Sequence, residues 1–203
     1  MTRTATHDKI DFLIRGKPAH AGKDPEKGIN AIQVMADAVS GMKLGRIGPE
    51  TTANLGLING GTAVNVVCPF VQIRAEARST SIAELDAQLD HMVKRFEGAA
   101  RKWGVTVEVK HDRHYHSYTV APSSQVVTVA QEAAKELGLD GALRTTLGGS
   151  DANVYNAKGI PSIVVATGMD KIHTHEENIS VEDLVRTSEL VYHLVLQAAK
   201  IRK

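Results

Sequence analysis

The sequence predicts a mixed α/β chain in two parts, residues 9–118 and 119–203. Three observations carry that expectation. In the first part, strand-like alternation and helix-like periodicity take turns in the order β-α-β-β-α-β. The second part reads helix, strand, helix, strand, helix, the pattern of an α/β layer. That second layer has only two strands, too few to cover its own sheet edges and helix faces.

Ile10, Phe12 and Ile14 alternate with Asp11, Leu13 and Arg15, a strand over 9–16. The polar residues before it are expected to fray. A Gly- and Pro-rich loop follows over 16–28. Ile29, Ile32, Met35, Ala36 and Val39 recur at helical spacing and give an amphipathic helix over 28–43. Gly41, Gly45 and Gly48 mark its end and a turn. The β-branched run 51–58 is a second strand, broken by Gly60 and Gly61. Over 70–78, Val71, Ile73, Ala75 and Ala77 oppose Gln72, Arg74, Glu76 and Arg78, a third strand. Ser79 or Thr80 then caps a helix carrying Leu85, Leu89, Met92, Val93 and Phe96 and ending near Gly104. Residues 105–109 are a fourth strand. The order is that of the ferredoxin-like split β-α-β unit, a four-stranded antiparallel sheet with both helices on one face.

In the second part, Ser123 or Ser124 opens a helix closed by Gly138, and 143–147 is a short strand running into Gly148-Gly149-Ser150-Asp151. Residues 163–166 are apolar without alternation, as in a strand buried on both faces. His173-Thr174-His175-Glu176-Glu177 is loop. Ser180 caps a last helix whose stripe is Leu184, Val185, Leu190, Val191, Leu194 and Val195.

Composition narrows the function classes. With 24 basic and 23 acidic residues in 203, the net charge is +1, which gives no electrostatic reason to expect nucleic acid or an anionic membrane as partner. The lone Cys68 cannot form an intrachain disulfide, which points to a reducing compartment, the cytoplasm. No apolar run approaches the roughly 20 residues that span a bilayer, and Met1 to Lys9 has no hydrophobic segment of a secretory signal.

Five groups could do chemistry, and each has a plain structural alternative. His173, His175 and the neighbouring glutamates are ligand types suited to zinc, or simply a solvated loop ahead of a helix. Gly148, Gly149, Ser150 and Asp151 at a strand end could approach a ligand, or be a turn with a helix cap. His20, between Ala19 and Ala21, is accessible, or bonds its own backbone. Asn65 and Arg78 flank the third strand, and Arg78 is fork-shaped for a carboxylate, or a surface arginine. His111, His114 and His116 could share a metal, or stand at an exposed strand end with no third ligand identifiable nearby.

Taken together and in order, the motifs are specific. Gly16-x-x-Ala19-His20-Ala21-Gly22 and Pro25-x-x-Gly28-x-Asn30-Ala31-Ile32 resemble the start of the lid (dimerisation) domain of the lid-bearing dizinc peptidases and aminoacylases. Gly60-Gly61-Thr62-Ala63-x-Asn65, Glu76-Ala77-Arg78-Ser79, Gly148-Gly-Ser-Asp-Ala-Asn153 and Lys171-Ile172-His173-Thr174-x-x-Glu177 resemble the peptidase T-like branch. The resemblance implies an α+β lid over 9–118, and the C-terminal segment of an α/β catalytic domain over 119–203. It implies zinc, two ions per complete subunit, with His173 as the one ligand this chain supplies. His20 would serve a partner subunit's oxyanion. Asn65, Arg78 and Gly148 to Asp151 would hold substrate. A small peptide or acylated amino acid would be that substrate, and the lid would form a homodimer. The family's other metal ligands and its glutamate base come before the lid and have no counterpart here, so the 203 residues are expected to be inactive alone. A non-catalytic dimerising or small-molecule-binding module is the alternative reading.

Overall fold

The computed structural model describes residues 1–201. In chain order the elements are β1 (Arg3–Thr4), β2 (Thr6–Arg15), α1 (Ala31–Ser40), β3 (Gly45–Gly48), β4 (Thr51–Gly60), β5 (Phe70–Ser79), α2 (Ile82–Trp103), β6 (Thr106–Tyr115), α3 (Gln125–Glu136), β7 (Thr145–Thr146), α4 (Asp151–Ala157) and α5 (Val181–Ile201). They fall into two units. Ala5–Ser117 form one, and Met1–Thr4 with the residues from Tyr118 on form the other.

The first unit is an antiparallel sheet in the order β3-β4-β5-β2-β6. Without β3 it is the ferredoxin-like order. The fifth strand, β3, lies where the sequence predicts a turn: its four residues, bounded by Gly45 and Gly48, are too few to alternate. Ile10, Phe12 and Ile14 on β2 and Val71, Ile73, Ala75 and Ala77 on β5 point to one face. There they meet Ala31, Val34 and Ala38 of α1 and Leu85, Leu89, Met92 and Phe96 of α2. Phe12 stacks on Phe96 with ring centroids 3.9 Å apart. The opposite, helix-free face carries the charged half of the alternation, including Arg15 with Glu108 and Arg74 with Asp11.

Three boundaries differ from the sequence reading. The start does not fray: Thr6, His7 and Asp8 are buried and continue β2. The cap of α2 is Ser81, whose Oγ accepts the Glu84 N–H, while Ser79 is taken up by Thr51 Oγ1 at 2.8 Å. β6 runs on to Tyr115, six residues past its apolar alternation. Asp8, fully buried, holds that extension: Arg113 Nε donates to Oδ1 at 3.0 Å, Arg113 Nη2 to Oδ2 at 2.9 Å, and His111 Nε2 lies 2.9 Å from Oδ2.

In the second unit the only sheet among the described residues is the parallel pair β1–β7, Arg3 opposite Thr145 and Thr4 opposite Thr146. Residues 163–166 form no strand and are half-buried or exposed rather than covered on both faces. Val164 meets Met1, its N–H donating to Met1 O at 3.3 Å and its carbonyl accepting from the Met1 amino group at 2.6 Å, and no ladder propagates from that pair. Ser180 does cap α5, its Oγ accepting the Asp183 N–H at 2.9 Å. Of the stripe read on α5, Leu190 is buried, whereas Leu184, Val185, Val191 and Val195 are each more than half exposed. α3 and α5 are joined instead by Glu136, which contacts His193 Nδ1 at 2.7 Å and Lys200 at 3.4 Å.

Two predictions follow from the first unit's core. Phe12→Ala removes one member of a fully buried stack and is expected to lower stability by about 4 kcal/mol in urea unfolding. Asp8 gives a pH signature. Burial pushes its carboxyl up, but the hydrogen bonds of Arg113 and His111 outweigh that and hold it below the ordinary value. Its contribution is therefore complete above the unfolded value of about 4 and is lost as pH falls through the lower folded one. Asp8→Asn should cost about 3 kcal/mol at pH 7 and flatten the acid limb of the stability curve.

Candidate functional site

The loops at one end of the lid sheet bring His20 and Asn65 together. Ala21 N–H donates to Asn65 O at 2.9 Å and Val67 N–H to Ala19 O at 2.9 Å, so the segments pair as a short bridge centred on His20 and Val66. Both side chains remain exposed. The close approach needs glycine nearby: a Cβ on Gly16 would lie 2.4 Å from Ile29 O, and one on Gly28 2.9 Å from the Ala19 Cβ. The Gly22 N–H donates to His20 Nδ1 at 3.1 Å. That makes Nδ1 the acceptor, so in the neutral ring the proton sits on Nε2. His20 thus offers an N–H donor on the side of the ring away from its own backbone.

Arg78 is elsewhere. Gly60, just before the Asn65 loop, is opposite Val71, while Arg78 is opposite Thr52 and His7. Arg78 lies seven steps along β5 from Val71, about 23 Å. Within one chain the sheet therefore keeps Asn65 and His20 apart from Arg78. Arg78 is half-buried and paired along its own strand to Glu76, beside His7 and Tyr115. Sequence reasoning had not picked out His7 and Tyr115. His7 falls in the stretch read as frayed, and Tyr115 lies beyond the apolar part of β6. The signal was the polar continuation of the alternation, Thr6, Asp8, Ile10.

In the second unit Ser150 is the N-cap of α4. Its Oγ accepts the Ala152 N–H at 3.3 Å, and Asn153 Oδ1 accepts the Ser150 N–H at 3.1 Å. Asn153, buried, also donates to Thr4 Oγ1 at 2.9 Å and so ties this turn to β1. Gly148, Gly149, Ser150 and Asp151 are all exposed around that cap.

His173 is exposed on a turn closed by the bridge between Asp170 and Asn178. Its φ is +67° and that of Lys171 +50°, the left-handed region in which a side chain is strained. The turn is tied by His173 N–H to Glu177 Oε2 at 2.7 Å and by Thr174 Oγ1 to Lys171 O at 2.7 Å. Among the described residues no three His, Cys, Asp or Glu side chains converge on a point that could hold a metal ion. His111 is engaged by Asp8 and His114 lies 3.9 Å from Asp112, so these histidines do not form a shared site. A catalytic zinc takes three protein ligands and an open position. The residues present do not fit a zinc by themselves, and His173 can be at most one ligand of it. His173→Gly should relieve the left-handed strain and raise stability by about 1 kcal/mol in chemical unfolding.

Comparison with known proteins agrees with the lid. A model described as peptidase dimerisation domain matches residues 3–104, and one described as M42 glutamyl aminopeptidase matches 84–190. YqjE of Bacillus subtilis, an uncharacterised protein, is 45% identical over 96% of this chain and 53% of its own length. The crystal structure of aminopeptidase PepT from Bacillus cereus superposes with a TM-score of 0.81 at 43% identity, covering 98% of this chain and 53% of that one. A tripeptidase from Staphylococcus aureus gives 0.84 at 37% identity, over 96% and 52%. The chain spans about half the length of the curated relatives it matches. With the dimerisation-domain match covering half of its residues, this chain belongs to the lid-bearing M20 peptidases, in their peptidase T-like branch.

Proposed function

We propose that this chain supplies the lid and a C-terminal share of the catalytic layer of a zinc-dependent exopeptidase or amidohydrolase acting on short peptides or acylated amino acids. The observation that carries the reading is the His20 ring. Its Nδ1 is occupied by the Gly22 amide, so its Nε2–H is a donor held on a short loop beside Asn65. A fixed N–H donor is what a developing oxyanion requires. Asn65 adds an amide for the substrate backbone, and Arg78 a guanidinium for its carboxylate end. Gly148 to Asp151 line the substrate path at a helix start. His173 is the one ligand this chain offers to metal, and the 203 residues alone have no hydrolytic activity. The free Cys68 and the absence, among the described residues, of a helix long and apolar enough to cross a membrane agree with work in the cytoplasm.

The separation of His20 and Asn65 from Arg78 supports a homodimer in which a lid serves its own subunit with one end and the partner with the other. β4 offers the edge. β3 pairs only with Thr51 to Ala53, so beyond Ala53 the outer side of β4 meets no strand among the described residues, and Leu57 and Ile58 are each 56% exposed. An unpaired, apolar strand edge is a template on which a second copy can pair about a two-fold axis. The self-contained core of Ala5–Ser117 favours a second reading, a dimerising module without catalysis.

Elemental analysis of the chain purified without chelator should find near-zero zinc and assays no peptide hydrolysis; two metals per chain with turnover would overturn the first reading. In a chain complemented with the remaining half of a relative, His20→Ala should lower kcat about 100-fold, and unchanged turnover would favour the second. Charging the edge with Leu57→Lys and Ile58→Lys should convert a dimer to monomer in sedimentation velocity.

A further inference from the structure

The helix-free face ends in a row that crosses four strands: Thr52, Arg78, His7 and Tyr115 stand opposite one another on β4, β5, β2 and β6. Glu76, two residues before Arg78 on the same face, holds one edge of the guanidinium. Nε donates to Oε1 at 3.1 Å and Nη2 to Oε2 at 2.9 Å. His7 Nε2 stands 2.9 Å from that same Oε2. His7 is buried, and Glu76 is the carboxylate its Nε2 faces. Tyr115 packs edge-on at 5.1 Å and His114 at 5.4 Å. A buried imidazole set against a carboxylate that also grips a guanidinium ties three side chains into one cluster. Burial and the nearby Arg78 hold His7 below its ordinary value and favour the neutral ring, although Glu76 pulls the other way. Burial pushes Glu76 up, but the hydrogen bonds and charge of Arg78 hold it below the ordinary carboxylate value.

We propose that Glu76 and His7 are positioning residues for Arg78. Glu76 grips the Nε–Nη2 edge, and the buried His7 ring backs one side of its carboxylate, so that the guanidinium is fixed in orientation before a ligand carboxylate arrives. The proposal rests on Arg78 as the carboxylate anchor. Its logic is that of pre-organisation: a guanidinium on a flexible stem loses rotamer freedom on binding, and one already held loses less. The two holders have different parts. Glu76 supplies charge and geometry. His7 supplies shape and dryness, which strengthen the pair that Glu76 makes.

Arginine side-chain NMR of the 203-residue chain tests this, with acetate as the probe. In the unaltered chain the Arg78 Nε–H signal should exchange slowly with water and move on titration with acetate. In Glu76→Gln its exchange should be about tenfold faster and acetate affinity severalfold weaker. Glu76→Asp, which keeps the charge, should recover part of the protection. His7→Gln should move both readouts in the same direction, and His7→Phe, which keeps the wall, should move them less. Methyl spectra and melting temperature report whether each variant is folded. A folded Glu76→Gln or His7→Gln with unaltered Arg78 exchange and acetate affinity overturns the proposal. If variants speed exchange but the unaltered chain ignores acetate, positioning stands and the carboxylate-anchor reading falls.

Discussion

The lid depends on one buried carboxylate. Asp8 sits at the point where β2 stops being apolar, and it accepts Arg113 through both oxygens with His111 beside it. Beyond the apolar part of β6, this ion pair reinforces the ladder that joins the strand to β2. Between Asp8 opposite Arg113 and His7 opposite Tyr115 the register slips by one residue, which leaves His114 as the extra one. Such a bulge bends the strand and re-aims its neighbours. Tyr115 thereby comes to lie against His7, and the Arg78 end of the sheet acquires its wall. Without Asp8 the sheet would keep its aromatic core and lose the polar end.

Most of the lid was legible because its strands alternate and its helices repeat at 3.6 residues. Ile10, Phe12 and Ile14 needed no structure to be assigned inward, nor did Leu85, Leu89, Met92 and Phe96. What escaped was polar or short. β3 has too few residues to show a period, and the ends of β2 and β6 are held by charge rather than apolar pattern. The cap of α2 is Ser81 rather than Ser79 or Thr80, because Ser79 is held by Thr51 and Thr80 by Glu50. The site residues were legible as motifs, while their separation was not. Asn65 and Arg78 are thirteen residues apart in sequence and at opposite ends of a rigid strand, a fact that depends on register.

The second unit behaves differently: among the described residues its one ladder is two residues long. The pattern on α5 reads as a buried stripe, yet one of its six residues, Leu190, is buried. Residues 163–166 have the composition of a central strand, yet they form none, and Val164 pairs with Met1. An apolar segment becomes a strand when a ladder receives it, so composition alone overstated order here. This is the physical counterpart of the metal result: a layer short of strands is also short of ligands.

The left-handed turn at His173 carries a consequence for the side chain it holds. A residue kept at φ +67° works against the local gradient, since glycine is the cheaper occupant of that backbone. Stability alone therefore favours glycine at this position, and whatever the imidazole does there is done against a backbone cost of about 1 kcal/mol. The turn is thus the place in the second unit where stability and side-chain chemistry pull in opposite directions.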